Sequence, residues 1–194
     1  MHSIIISTDI LIHTMTITTP SYRDRKYEIV PYDPQWILQF EELKTKIQTV
    51  FRNAQIEHIG STAVPGMKGK SCIDILVIVN NLHEVETYVP DMEKMGFLYA
   101  GEFVMKDSRL FRIMNGNTIL ANIHFFPTGH THNQEMLDLR DYLRSHPEEV
   151  IEYSNLKQDL YTKYRDDYAS YRKEKDEYVE ALNIRVGGFM AQNA

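Results

Sequence analysis

The chain has 194 residues, 43% hydrophobic and 25% charged, with 21 Lys plus Arg against 27 Asp plus Glu and a formal net charge of -6. This length fits one domain, or a domain with an appendage, and carries enough apolar side chains for a core; the composition excludes a disordered tail, a collagen-like fibre and a disulfide scaffold. The acidic balance gives no general footprint for nucleic acid, no apolar run is long enough for a membrane span, and the single cysteine, Cys72, fits a reducing, cytoplasmic setting.

Residues 1–25 are expected to form an N-terminal tail. They contain Ile4-Ile5-Ile6 but neither a basic stretch nor a small-residue cleavage site, so no secretory leader is expected. Tyr27-Glu28-Ile29-Val30 predicts a short strand. Pro31-Tyr32-Asp33-Pro34 predicts a helix entry, with Asp33 capping free N–H groups and Pro34 at the first helical position. Trp36, Phe40, Leu43 and Ile47 then share one helical face, reaching about Phe51. Alternation predicts a strand over Gln55–Ile59, ended by Gly60, and a Gly/Ser/Thr/Pro/Lys-rich loop over Gly60–Lys70. Ile73 to Val79 is the most apolar run and reads as a central buried strand. Residues 82–95 have helical spacing interrupted by Pro90 and stopped by Gly96.

Strands at about 109–114 and 118–126 flank Asn115-Gly116-Asn117, a strong hairpin signal. Residues 133–190 look helical, with breaks near His146-Pro147 and near Asp166–Ser170. The charged run Arg172 to Glu177 reads as a solvated helix surface. The order predicts an α/β (α+β) chain: a mixed sheet flanked by helices over residues 26–130, then a C-terminal helical part over 131–194 packed on that core.

Chemistry concentrates between residues 57 and 76. Gly60-Ser61 follows a strand, so its backbone can approach a ligand closely, and the Ser61 and Thr62 hydroxyls suit a phosphate, with Lys68 and Lys70 as point charges. A connecting turn is the plainer alternative. No Walker A pattern is present, because Gly69-Lys70-Ser71 is preceded by Val64 where the first glycine belongs. Asp74 lies inside Ile73-Asp74-Ile75-Leu76-Val77-Ile78-Val79. A carboxylate there is costly unless it is paired, hydrogen-bonded or bound to a metal.

Val30-Pro31-Tyr32-Asp33-Pro34-Gln35-Trp36, Glu57-His58-Ile59-Gly60-Ser61-Thr62-Ala63-Val64-Pro65-Gly66, Ile73-Asp74-Ile75-Leu76-Val77 and Leu139-Arg140-Asp141-Tyr142-Leu143-Arg144-Ser145-His146-Pro147-Glu148 resemble the GrpB-like family, with matching order from about Tyr27 to Leu182. That family is regarded as a branch of the nucleotidyltransferase-like superfamily of DNA polymerase beta. The resemblance implies a mixed sheet with a Gly-Ser turn, and acidic residues holding Mg²⁺ for two-metal catalysis on nucleotide phosphates. Gly60 and Ser61 match the phosphate-side pair, and Asp74 matches the first acid of Asp-x-Asp. The second acid position is Leu76, and the strand where a third acid is expected offers Asn122 and His124.

Two readings follow. In the first, Mg²⁺ or another divalent metal, held by Asp74 and His124, supports nucleotidyl transfer to a small acceptor. In the second, the chain binds a nucleotide or phosphorylated metabolite without catalysis, having lost the acid set. Gly60, Ser61, Thr62, Lys70 and Arg112 are the expected ligand contacts in both, and nucleic acid and membrane are not expected partners. His58, His124, His130 and His132 could gather near Asp74. Arg109 and Arg112 point to opposite strand faces, so only one can face a pocket, and an ion pair with Glu102, Asp107 or another surface acid is the plainer alternative for such an arginine. Arg140 and Arg144, one helical turn apart, are expected to anchor the helical part to the sheet. Tyr171 and Lys175 resemble a further family pattern whose role is open. Cys72 has no local base, and Ser61 lacks a G-x-S-x-G context, so neither reads as a nucleophile.

Overall fold

In the computed structural model, which describes residues 26–102 and 105–193, the apolar alternations condense into one five-stranded sheet. β1 (Gln55–Ile59), β2 (Ile73–Val79), β3 (Leu98–Gly101), β4 (Arg109–Asn115) and β5 (Thr118–Pro127) lie in the order β1-β2-β5-β4-β3. β2 and β5 run parallel, and the other neighbouring pairs run antiparallel. The sheet is therefore mixed, as the order of elements predicts. The expected tail over residues 1–25 lies outside the described residues.

Six helices complete the described residues: α1 (Gln35–Val50), α2 (Leu82–Thr87), α3 (Val89–Lys94), α4 (Thr131–Ser145), α5 (Pro147–Lys163) and α6 (Tyr168–Asn193). Asp33 Oδ1 accepts the Gln35 N–H at 2.9 Å and so satisfies a donor that α1 leaves open. Pro34 stands at the cap itself rather than at the first helical residue. Pro90 falls in the first turn of α3, where its missing N–H costs nothing, and the single periodic stretch divides there. Pro147 opens α5 for the same reason.

One expected strand is absent. Tyr27–Val30 contributes a single bridge, in which Val30 N–H donates to Gly69 O at 2.9 Å and Gly69 N–H donates back at 3.0 Å. On either side of Gly69 the backbone bonds elsewhere. Lys68 N–H donates to Ser154 Oγ at 3.0 Å, and Lys70 O accepts from Cys72 N–H at 2.7 Å.

The sheet has two unlike faces. Ile73, Ile75, Val77 and Val79 of β2, Ile123 and Phe125 of β5, and Phe111 of β4 meet Trp36, Phe40 and Ile47 of α1 in the largest apolar cluster. The opposite face is covered by α4–α6. Leu143, Val150, Tyr153, Leu182 and Val186 from these helices close around Val64 and Met67 of the loop after β1. Arg140 and Arg144 fasten the layers, as expected. Arg140 Nη1 donates to Glu57 Oε2 at 2.7 Å and His58 O at 3.2 Å, and Arg144 Nε donates to Ala63 O at 3.0 Å.

Candidate functional site

β-strand alternation puts Asp74, Leu76 and Ile78 on the face toward α4–α6. Strand register then lines up Ile59, Asp74, Asn122 and Arg112 side by side across four strands. This polar row forms one wall of a cavity of about 350 Å³ between the sheet and α4–α6, a size suited to a small ligand.

Asp74 is at the centre of the row. Its side chain keeps 33% of its surface accessible, despite its place on an inner strand, because it faces the cavity. Asn122 Nδ2 donates to Asp74 Oδ1 at 2.8 Å, and His124 Nε2 lies 4.0 Å from the same oxygen. Burial opposes the charge, but His124, Asn122 and Lys70 outweigh it and hold the carboxyl below the usual aspartate range. Gly60 has φ +71°, and a Cβ there would come within 2.8 Å of Asp74 Oδ2. The position therefore needs glycine twice over, for its backbone and for the space of the carboxylate.

From the loop and helices come cations and phenols. Lys70 Nζ donates to Tyr168 Oη at 2.6 Å, and Lys157 Nζ donates to Ser61 Oγ at 2.9 Å. Lys157 is 2% exposed. Burial, with Lys175 and Lys70 adding repulsion, pushes its amine well below the usual lysine range. Burial likewise pushes the Tyr153 and Tyr171 hydroxyls upward, so both stay protonated. Lys175 pairs with Asp176 at 2.6 Å, and Arg172 shares that carboxylate at 3.0 Å. Six basic side chains (Lys70, Arg112, Arg140, Lys157, Arg172, Lys175) line the cavity against two carboxylates (Asp74, Asp176). The site is locally basic although the chain is acidic.

Of the expected contacts, Gly60, Ser61, Lys70, Asp74, Arg112 and His124 all line this cavity. Thr62 does not. It is 1% exposed, and its Oγ1 is 2.9 Å from His58 Nε2. His58 itself stacks on Phe40 at 4.7 Å on the core side of the sheet, and burial lowers its pKa to about 4. His130 accepts the His132 N–H as it caps α4, and His132 meets Glu135. The four histidines therefore do not converge, and only His124 reaches Asp74. Arg109 pairs with Glu86 and Glu102. The stretch Arg172–Glu177 is not wholly a solvated surface, because Arg172, Lys175 and Asp176 line the cavity. Lys157, Tyr153 and Tyr168 escape sequence reasoning. The four-residue spacings Tyr153/Lys157 and Tyr171/Lys175 were the available signal, since each pair shares a helical face.

The donor set does not fit a resident pair of Mg²⁺ ions. Leu76, at the second acid position, has no solvent exposure and packs with Ile59 and Phe126 beneath Met136 and Leu137 of α4. Asp74 is left with an amide and an imidazole beside it, whereas Mg²⁺ favours several hard oxygens. Among the described residues no group of three or more His, Cys, Asp or Glu side chains is placed to hold an ion.

Comparison with known proteins agrees with this architecture. The GrpB protein family model matches residues 26–185, and the chain belongs to that family. It is 34% identical over 161 residues to the Bacillus subtilis protein YqkA, a stretch covering 82% of this chain and 47% of YqkA; the match thus spans about half of that relative. The crystal structure of the conserved protein GrpB from Enterococcus faecalis is similar with a TM-score of 0.77 and 30% identity, over 82% of this chain and 96% of that one. A mutant of the Cid1 poly (U) polymerase, bound to MgATP, is similar at TM-score 0.50 and 11% identity, over 70% of this chain and 45% of that one. The last likeness is one of fold, and the fold is nucleotidyltransferase-like.

Proposed function

We propose that this GrpB-family chain binds a nucleotide or another phosphorylated small molecule in the cavity beside Gly60 and Asp74, without two-metal nucleotidyl transfer. One observation carries the reading: a chain of net charge -6 surrounds a 350 Å³ cavity with five cationic side chains (Lys70, Arg112, Arg140, Arg172 and Lys175), besides the buried Lys157, and two acidic ones. Lys70, Arg112 and Lys175 supply charge-assisted hydrogen bonds to phosphate oxygens. Tyr168 and Tyr171, which line the same cavity, bound the space for the rest of the ligand. Asp74 accepts hydrogen bonds from ligand hydroxyl or amino groups. A single cysteine is compatible with a reducing, cytoplasmic setting for this work. Among the described residues no helix is long and apolar enough to cross a membrane.

Thermal unfolding with ATP or inorganic phosphate, each with Mg²⁺ and with a chelator, tests the reading. ATP is expected to raise the melting temperature equally under both conditions. Lys175→Met is expected to weaken that binding by about tenfold, the loss of one charge-assisted hydrogen bond. No stabilisation by either compound at millimolar concentration overturns it. An ionised Asp74 beside Gly60-Ser61 favours a second reading, nucleotidyl transfer to a small acceptor. Metal-dependent pyrophosphate release that disappears in Asp74→Ala would put that reading first.

A further inference from the structure

We propose that Ser61 and Lys157 form a nucleophile and general-base pair that cleaves an ester of a negatively charged small molecule. The inference goes beyond ligand binding and shares with it only the premise that the cavity accepts an anion. Ser61 has no local sequence context of a hydrolase serine, and the structure supplies the missing partner from 96 residues away. The two side chains meet at 2.9 Å, the distance a serine–base pair requires. Ser61 is half-buried and lines the cavity, and Lys157 meets its oxygen there. Gly69 packs closely against Ser61, since a Cβ there would lie 2.9 Å from Ser61 Cβ. Glycine at 69 therefore leaves the room that Ser61 occupies.

A lysine is a base only when uncharged. Lys157 is sealed from solvent, and that burial disfavours its charged form more than the Tyr153 ring beneath Nζ favours it. The charged or titratable groups that share its cavity are Lys70 and Cys72 from the loop before β2, Asp74 from β2, Arg112 from β4, His124 from β5, Arg140 from α4, Tyr153 from α5, and Tyr168, Tyr171, Arg172, Lys175 and Asp176 from α6. Lys70 and Lys175 are the neighbours that weigh on it, and both repel a second positive charge. Desolvation and adjacent cations are the two ways proteins keep a lysine neutral.

The reaction balances without an added oxidant or metal. The Ser61 hydroxyl proton passes to the Lys157 amine as Oγ bonds to the ester carbonyl carbon and the carbonyl electron pair moves onto oxygen. When that pair returns, the bond to the alcohol oxygen breaks, and the departing alcohol takes the proton from Lys157. Water then gives a proton to Lys157 and attacks the acyl carbon. Ser61 Oγ leaves, recovering that proton.

A neutral fluorophosphonate probe tests this on the full chain, because Ser61 Oγ attack on its phosphorus expels fluoride and leaves a stable mass increment. One adduct is expected, on the Ser61 peptide, absent in Ser61→Ala. Its rate should climb with pH to a plateau reached well below the ordinary lysine range. Lys157→Arg keeps a donor to Ser61 but cannot act as a base, and should slow labelling by at least about 100-fold. Lys157→Met, with folding checked by circular dichroism, should do the same. No labelling of the wild type, or labelling of Lys157→Arg at the wild-type rate, overturns the proposal. Should both lysine variants fail to fold, the wild-type profile decides: a rate independent of pH overturns it. The probe carries no charge, so its result is separate from whether ATP or phosphate binds.

Discussion

Ile75 and Leu76 are neighbours on β2, and neither has any solvent exposure, yet they belong to different regions. Ile75 sits in the large cluster against α1, where every rung along the strand is apolar. Leu76 sits in a small cluster under α4, two residues from a carboxylate that faces an open cavity. The first face does one thing along its whole length. The second changes from polar to sealed within a single step of the alternation. The sheet therefore keeps one face wholly for packing, while the other divides between a polar wall and a sealed apolar patch.

The sharpest test of that contrast puts the missing acid back. Leu76→Asp is expected to lower the unfolding free energy by about 4 kcal/mol or more, because it removes apolar packing and buries an unpaired carboxylate. Urea denaturation with and without Mg²⁺ reads the outcome. A stable variant that gains Mg²⁺-dependent stabilisation would break the contrast.

The next effect belongs to the core side. His58 has a folded pKa of about 4 against an ordinary value of 6.5. Below pH 6.5 the unfolded chain takes up a proton that the folded chain refuses until about pH 4. Stability held above pH 6.5 should thus fall by about 3 kcal/mol across that window. Denaturation curves of wild type and His58→Gln measure it, and parallel pH profiles for the two proteins would show that His58 is not the cause.

Gly60→Ala gives the smallest of the three effects, about 2 kcal/mol, from a Cβ forced into a positive φ and against Asp74. It should also weaken ATP binding, because the carboxylate must move. Unchanged ATP binding would separate Asp74 from the ligand site.

How much of this was legible in the chain depends on how local the signal is. Gln55–Ile59 and Ile73–Val79 coincide with β1 and β2 because period-two alternation and a β-branched run are properties of adjacent residues. The breaks at Pro90 and Pro147 follow from one ring each. Tyr27–Val30 has strand-like residues, yet only Val30 finds a partner, Gly69, because pairing depends on a distant segment that local texture does not show. The same asymmetry runs through the site. Gly60, Ser61 and Asp74 stand out because glycine and a charged residue interrupt apolar texture. Lys157 and Lys175 carry no such mark, since a lysine on a helix looks solvated until the helix is docked. Thr62 shows the reverse error: a hydroxyl beside Gly60-Ser61 turns inward to His58 instead.

The contacts Lys157–Ser61 and Lys70–Tyr168 join segments 96 and 98 residues apart. A nascent chain released only as far as Pro127 already holds all five strands and none of Lys157, Tyr168 or Lys175. The receptacle is consequently the last part of the molecule to come into being, because the side chains that close it over the sheet are among the last to leave the ribosome.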